Sequence, residues 1–308
     1  MRVAVVDIGT NSTRLLIADV DPADGSVLER VRRSQVTRLG HGVDATGALE
    51  DASVERTWRV LEEYRAAIDE HGCEANLAVL TSAVRDASNG AEFAERVRDE
   101  LSLDAKVLSG DEEAQLTFLG AMSGRPPAKE PTVVIDIGGG STEFVIGTGR
   151  TAGFHVSTPA GVVRMSERHI KSDPPRPEEL QALAEDTRSV FLAAMPEDER
   201  VAVKRGIAVA GTATSAASIE QELDPYDPAK VHGYTLLLAT VELLLARLAE
   251  MTESERREVV GLHPDRAPTI VAGMILLSQA MIVMGLEQVE VSDHDILYGG
   301  ALRLAGLG

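Results

Sequence analysis

The sequence predicts an α/β protein built from two related domains. A hairpin-like motif occurs twice, half a chain apart, and each copy is followed by apolar strand runs alternating with helical patterns. The length of 308 residues agrees with two domains of roughly 150 residues.

Val5-Val6-Asp7-Ile8-Gly9-Thr10-Asn11-Ser12-Thr13-Arg14-Leu15-Leu16-Ile17 aligns residue for residue with Val134-Ile135-Asp136-Ile137-Gly138-Gly139-Gly140-Ser141-Thr142-Glu143-Phe144-Val145-Ile146, and seven of the thirteen positions are identical. Each copy reads as apolar strand, tight polar turn, apolar strand. The spacing is too wide for a solenoid, whose repeats run about 20–50 residues. After the first copy, apolar residues at three- and four-residue spacing predict a long helix over 53–71. A strand over 77–80 and an amphipathic helix over 89–101 follow. Gly124-Arg125-Pro126-Pro127-Ala128-Lys129-Glu130-Pro131 reads as a linker. After the second copy, Asp173-Pro174-Pro175-Arg176-Pro177 is a loop before a helix starting near Glu178. A strand over 207–210, a helix over 213–223 and a long helix over 234–251 complete the pattern.

Lys and Arg number 30 against 49 Asp and Glu, a net charge of −19. That balance excludes broad binding to nucleic acid or to anionic membranes, which needs excess cations. A local basic pocket can still act on an acidic body, because charges are screened within about 8 Å. Arg14, Arg32, Arg33, Arg38, Arg85, Arg164 and Lys230 are the candidate cations. Cys73 is the single cysteine, so no intrachain disulfide forms, and no spacing suggests zinc. Residues 267–286 carry no formal charge, but Pro268, Gly273, Ser278, Gln279 and Gly285 favour a buried helix over a membrane span. The apolar run at Met1–Asp7 is too short for a signal peptide, and a cytoplasmic protein is expected.

The two polar turns share one physical logic. Glycine lets backbone N–H groups approach an anion, hydroxyls add donors, and an Asp at the strand end can hold a metal ion or its water. Gly, Asn and Ser also make ordinary hairpin turns. Turn formation alone does not require the Asp, and both copies keep it. The absence of a Gly-x-x-x-x-Gly-Lys-Ser/Thr motif excludes a P-loop NTPase.

The paired hairpins, with Val209-Ala210-Gly211-Thr212-Ala213-Thr214, resemble the acetate and sugar kinase/Hsp70/actin superfamily. Within it, Asp7–Leu15, Thr81–Asn89, Ser109–Ala114 and Asp136–Glu143 resemble the exopolyphosphatase/guanosine pentaphosphate phosphohydrolase (Ppx/GppA) family, from Arg2 to about Gly300. The resemblance implies two ribonuclease-H-like domains with an interdomain cleft, over 1–125 and 126–295, with a C-terminal helix over 296–308 returning to the first. It implies a homodimer that hydrolyses a terminal phosphoric anhydride with Mg²⁺, or Mn²⁺ as substitute. Glu113 and Arg85 are its implied catalytic residues. Asn11, Ser12, Thr13, Arg14, Gly138, Gly139, Gly140, Ser141, Gly211 and Thr212 are its implied phosphate binders, and Asp7, Asp136 and Glu143 its implied metal carboxylates. Without the resemblance, Glu112 and Glu113 would read as a solvated pair at a helix start.

The expected substrate is inorganic polyphosphate, with guanosine pentaphosphate as the alternative. Short chains are expected to be favoured, because the body is acidic and the C-terminal helical domains of longer relatives are lacking. A small-molecule kinase or a nucleotide-switched, polymerising actin-like protein would share the phosphate loops. His294-Asp295 suggests a metal-dependent HD phosphohydrolase, but its further ligands cannot be assembled from the remaining histidines. His232 either faces phosphate or caps a helix.

Overall fold

The computed structural model describes residues 1–125, 128–149 and 151–307. The chain divides into two compact units, Met1–Pro126 with His294–Gly308, and Pro127–Asp293. The first holds strands β1 (Arg2–Ile8), β2 (Ser12–Val20), β3 (Val27–Val36), β4 (Ala75–Leu80) and β5 (Ala105–Val107), in the order β3-β2-β1-β4-β5. β2 runs antiparallel to β1 and β3, while β4 runs parallel to β1 and β5. The second holds β6 (Ala128–Ile137), β7 (Thr142–Gly149), β8 (Thr151–Thr158), β9 (Arg205–Val209), β10 (Thr235–Leu237) and β11 (Gln288–Val291). Its order, β8-β7-β6-β9-β11-β10, repeats the first arrangement and adds one edge strand. The sequence duplication is therefore a duplication of topology.

Strand β1 shows why a continuous apolar run belongs in the middle of a sheet. Its even-numbered residues Ala4, Val6 and Ile8 pack with Leu61 and Tyr64 of helix Asp51–Glu70 and with Phe93 and Val97 of helix Gly90–Leu101. Its odd-numbered residues Val3 and Val5 pack instead with Leu297, Tyr298, Ala301 and Leu302 of helix Ile296–Leu304. In the second unit, helix Ile270–Val283 is buried almost throughout and shares a core with Leu183 and Phe191. Phe191 meets Phe144 of β7 edge to face, at 5.0 Å. The uncharged stretch over 267–286 is thus a core helix. No helix among the described residues is long and apolar enough to cross a membrane.

Two expectations shift. The linker expected over 124–131 falls partly on Pro126 and Pro127, outside the described residues, and 128–131 already belongs to β6. Pro131, lacking an N–H, lies inside the register irregularity between Ala128 and Thr132, where a regular ladder bond is not required. The helix expected over 234–251 starts only at Leu238. Thr235–Leu237 pairs with β11, and the β11 residue Val291 exchanges backbone hydrogen bonds with Gly233 and Tyr234.

Buried Arg256 closes helix Leu238–Ala249. It donates to the carbonyls of Leu248, Met251 and Ala267, at 3.3, 2.7 and 3.1 Å, and meets Asp173 at 3.4 Å. Replacing it by Ala removes three hydrogen bonds to carbonyls, of which Leu248 still accepts from the Met251 N–H, and leaves a void. Arg256→Ala is expected to cost about 2–4 kcal/mol in denaturant unfolding, and a midpoint equal to wild type would remove this role.

Candidate active site

In the first unit the β1–β2 turn is closed by Gly9 N–H donating to the Ser12 carbonyl at 3.1 Å. A Cβ at Gly9 would lie 3.0 Å from that oxygen, so the turn is tight around its glycine. The turn is also tied sideways. Thr10 Oγ1 and Ser82 Oγ share a hydrogen bond of 2.9 Å, as do Thr13 Oγ1 and Thr37 Oγ1. The Asn11 carbonyl accepts from the N–H groups of Thr37 and Arg38. Asn11 and Thr13 are buried, and Ser12 is half-buried.

Register places Arg14 directly opposite Asp7. The Arg14 guanidinium donates from Nε and Nη2 to Asp7 Oδ2, at 2.9 and 2.6 Å, and from Nη1 to Asp295. Asp295 also caps helix Ile296–Leu304 through the Leu297 N–H. One guanidinium thus serves two buried carboxylates. Burial pushes the Asp7 carboxyl up against the pull of Arg14. At Asp295 burial pushes upward too, but Arg14, Arg32 and the Leu297 N–H together hold the carboxyl low. Arg14, expected on phosphate, is therefore engaged by protein carboxylates. Asp7, expected on metal, already has a guanidinium on its carboxylate.

Helix Gly110–Ala121 separates the roles of the two adjacent glutamates. Ser109 caps it by accepting from the Glu112 N–H at 3.2 Å, and Glu112 accepts in return from the Ser109 N–H at 2.9 Å. Glu112 is thereby a cap on the exposed side. Glu113 turns inward, 8% exposed, and accepts from Arg85 Nη1 at 3.0 Å. Arg85, in the last turn of helix Ser82–Asp86, also donates to the Leu108 carbonyl at 3.0 Å. The structure thus brings together the two residues expected to be catalytic. Asn89, from the same motif, has a different job. Its amide donates to and accepts from the Leu49 backbone, at 3.0 and 2.8 Å, latching the loop before helix Asp51–Glu70.

The second unit repeats the turn, with Gly138 N–H donating to the Ser141 carbonyl at 3.0 Å. Here register sets Glu143 opposite Asp136, where the first copy has Arg14 opposite Asp7. Both carboxylates are buried, at 7% and 1% exposed for Asp136 and Glu143, and Ser157 Oγ donates to Glu143 at 2.6 Å. The carbonyls of Gly138 and Gly139 accept from the N–H groups of Val162, Val163 and Arg164, and Arg164 Nε donates to the Gly140 carbonyl. The loop Gly138–Ser141 is therefore held from behind by helix Val162–His169.

Gly211 and buried Thr212 open helix Ala210–Glu220, where Ala210 has φ of 62°, a strained value for a residue with a side chain. A Cβ on Gly211 would lie 1.5 Å from Arg266 Nη1, so the glycine makes room for a guanidinium. Sequence reasoning missed Arg266, because no local motif marks it and the chain brings it from 55 residues away. His232 and His294 both meet nearby protein groups. His232 Nδ1 accepts from the Asp293 N–H, whereas His294 stacks on Tyr298 at 3.8 Å and pairs with Ser123. Asp295 is drawn to Arg14 rather than toward His294. No group of three or more His, Cys, Asp or Glu is placed to hold a metal among the described residues.

A duplicated α/β fold carrying paired Asp-Gly-Ser-Thr turns, with a buried glutamate paired to an arginine, is the arrangement of a phosphatase. The chain belongs to the Ppx/GppA phosphatase family, whose model matches residues 16–303. It is 36% identical to exopolyphosphatase 2 of Mycobacterium tuberculosis, over 99% of each chain. Among solved structures, an exopolyphosphatase-like protein superposes with a TM-score of 0.92 at 34% identity, covering 98% of this chain and 97% of that one. The Ppx/GppA family member of Aquifex aeolicus superposes with a TM-score of 0.82 at 33% identity, covering 100% and 99%.

Proposed function

We propose that the protein is an exopolyphosphatase that releases terminal phosphate from inorganic polyphosphate. The observation that carries this reading is buried Glu113, in the first turn of helix Gly110–Ala121, joined at 3.0 Å to half-buried Arg85. Phosphoryl transfer is chiefly positioning and charge neutralisation, so the protein needs a carboxylate to orient water and cations to receive the phosphoryl oxygens. Glu113 takes the proton as the water oxygen bonds to the terminal phosphorus. The bond from that phosphorus to the bridging oxygen breaks, and the shortened chain leaves on that oxygen. Arg85 holds Glu113 in place and offers a fork suited to phosphate. Each glycine turn offers backbone N–H and hydroxyl donors of the kind that phosphate oxygens accept from. The relatives named exopolyphosphatase support the choice of substrate.

The Asp136–Glu143 pair fits Mg²⁺. Its donors are hard carboxylate oxygens on adjacent strands, and Mg²⁺ keeps several waters while using one or two carboxylates. When bound, the ion would neutralise charge on the phosphoryl oxygens. A body of charge −19 also holds long polyanions less well than short ones, so short chains are the proposed preference.

The test is phosphate release from tripolyphosphate, long polyphosphate and guanosine pentaphosphate, with Mg²⁺ and after EDTA. Tripolyphosphate is expected to turn over fastest, and EDTA to abolish release. A preference for guanosine pentaphosphate would transfer the same site to that substrate. No release from any of them by a folded protein would overturn the proposal.

A further inference from the structure

A cavity of about 490 Å³ lies in the first unit, apart from the residues assigned above to phosphate or metal. Its cations come from three different elements: Arg98 from helix Gly90–Leu101, Lys106 from β5, and Arg303 from the last turn of helix Ile296–Leu304. All three are exposed on a protein of net charge −19. Arg98 donates one bond to the Ala105 carbonyl and Lys106 meets Asp104 at 3.2 Å. Arg303 has no hydrogen bond or ion pair among the described residues. The floor is different in kind. Leu77, Leu108 and Leu116 are buried members of one apolar cluster, with Leu304 packed against it.

A cationic rim over a leucine floor asks for a ligand with two ends. Bare phosphate chains are hydrated over their whole surface and would gain nothing from the leucines. A nucleoside phosphate sets an apolar base face on the floor and phosphates on the rim. The volume lies within the range of about 300–1,000 Å³ usual for small-molecule sites. We propose that this cavity is an effector site for a nucleoside di- or triphosphate. It does not depend on which phosphate anion the protein hydrolyses.

The site touches the catalytic helix. Glu112, which also lines the cavity, is held low in pKa by the Ser109 N–H and hydroxyl, and then by the field of Arg303 and Lys106. It precedes Glu113 directly. Leu108, another lining residue, gives its carbonyl to Arg85. Phosphates that draw Arg303 and Lys106 toward themselves therefore act next to the groups that place Glu113.

ADP binding without Mg²⁺, followed by calorimetry, tests the proposal. Arg303→Glu and Lys106→Glu are each expected to weaken ADP by about tenfold or more, while the unliganded variants keep tripolyphosphate hydrolysis within about twofold. Hydrogen exchange on the wild-type protein gives a readout free of any folding defect, and ADP is expected to slow exchange across residues 105–116. Three results would overturn the site. ADP affinity could be unchanged in both variants. ADP could be lost in Arg85→Met alone, which would place it where phosphate is hydrolysed. Tripolyphosphate could protect 105–107, which lie off the catalytic helix, as well as ADP does, which would mark a site for bare anions.

Discussion

Glu113→Gln is expected to slow phosphate release by about 10²–10⁴-fold, the usual worth of a positioned general base. Gln keeps the shape of the side chain and can still accept from Arg85 through its amide oxygen. The Arg85–Glu113 hydrogen bond at 3.0 Å is therefore preserved in outline while the proton acceptor is lost. KM is expected to change little, since the carboxylate serves the attacking water and not the substrate. The unfolding midpoint should stay close to wild type, because the capping box at Ser109 and Glu112 is untouched. Rate measurements beside a thermal melt decide the matter. A variant with near wild-type kcat would remove Glu113 from the chemistry, and a large fall in stability would make the loss structural.

The second large effect is expected at Gly120. A Cβ there would lie 1.8 Å from the Asp295 carbonyl oxygen and 2.8 Å from the Gly299 nitrogen. These are backbone atoms, so no side chain can rotate away to relieve the overlap. Gly299 stands in the same relation to helix Gly110–Ala121, its Cβ falling 1.9 Å from the Leu116 carbonyl oxygen. The two helices thus meet backbone to backbone. Gly120→Ala must force helices Gly110–Ala121 and Ile296–Leu304 apart. We expect a loss of about 3 kcal/mol in denaturant unfolding. Activity should fall too, because the same helix carries Glu113. Retained stability would show that the helices can part at little cost. Gly47→Ala offers a contrast, since no atom lies within 4 Å of its Cβ and only its φ of 72° is unfavourable.

Much of this fold was legible in the sequence, for a physical reason. The β1–β2 and β6–β7 hairpins are local, and their apolar runs, glycines and hydroxyls lie within a few residues of one another. Helices Asp51–Glu70 and Gly90–Leu101 declare themselves by spacing alone. The short strand Thr235–Leu237 did not, since its partner Gln288–Val291 lies some fifty residues further on and its leucines also suit a helix. The site divides in the same way. Glu113 was recognisable from its motif, but its separation from Glu112 appears only once the Ser109 cap is formed. The engagement of Arg14 by Asp295 joins opposite ends of the chain, and Arg266 reaches Gly211 from a segment without any motif. Long-range electrostatic partners of this kind leave no periodicity to read.

The route of the chain has a consequence for its synthesis. β1 leaves the ribosome nearly three hundred residues before 297–307, which cover one face of it. The second unit lies wholly between them in sequence and contains every strand it needs. It can close before the first one does. Until translation reaches Leu302, Val3, Val5 and Leu16 lack their cover, and an apolar sheet face waits in a half-made protein. The order of completion is then the reverse of the order of synthesis, and the nascent first half is the stretch most in need of protection from other chains.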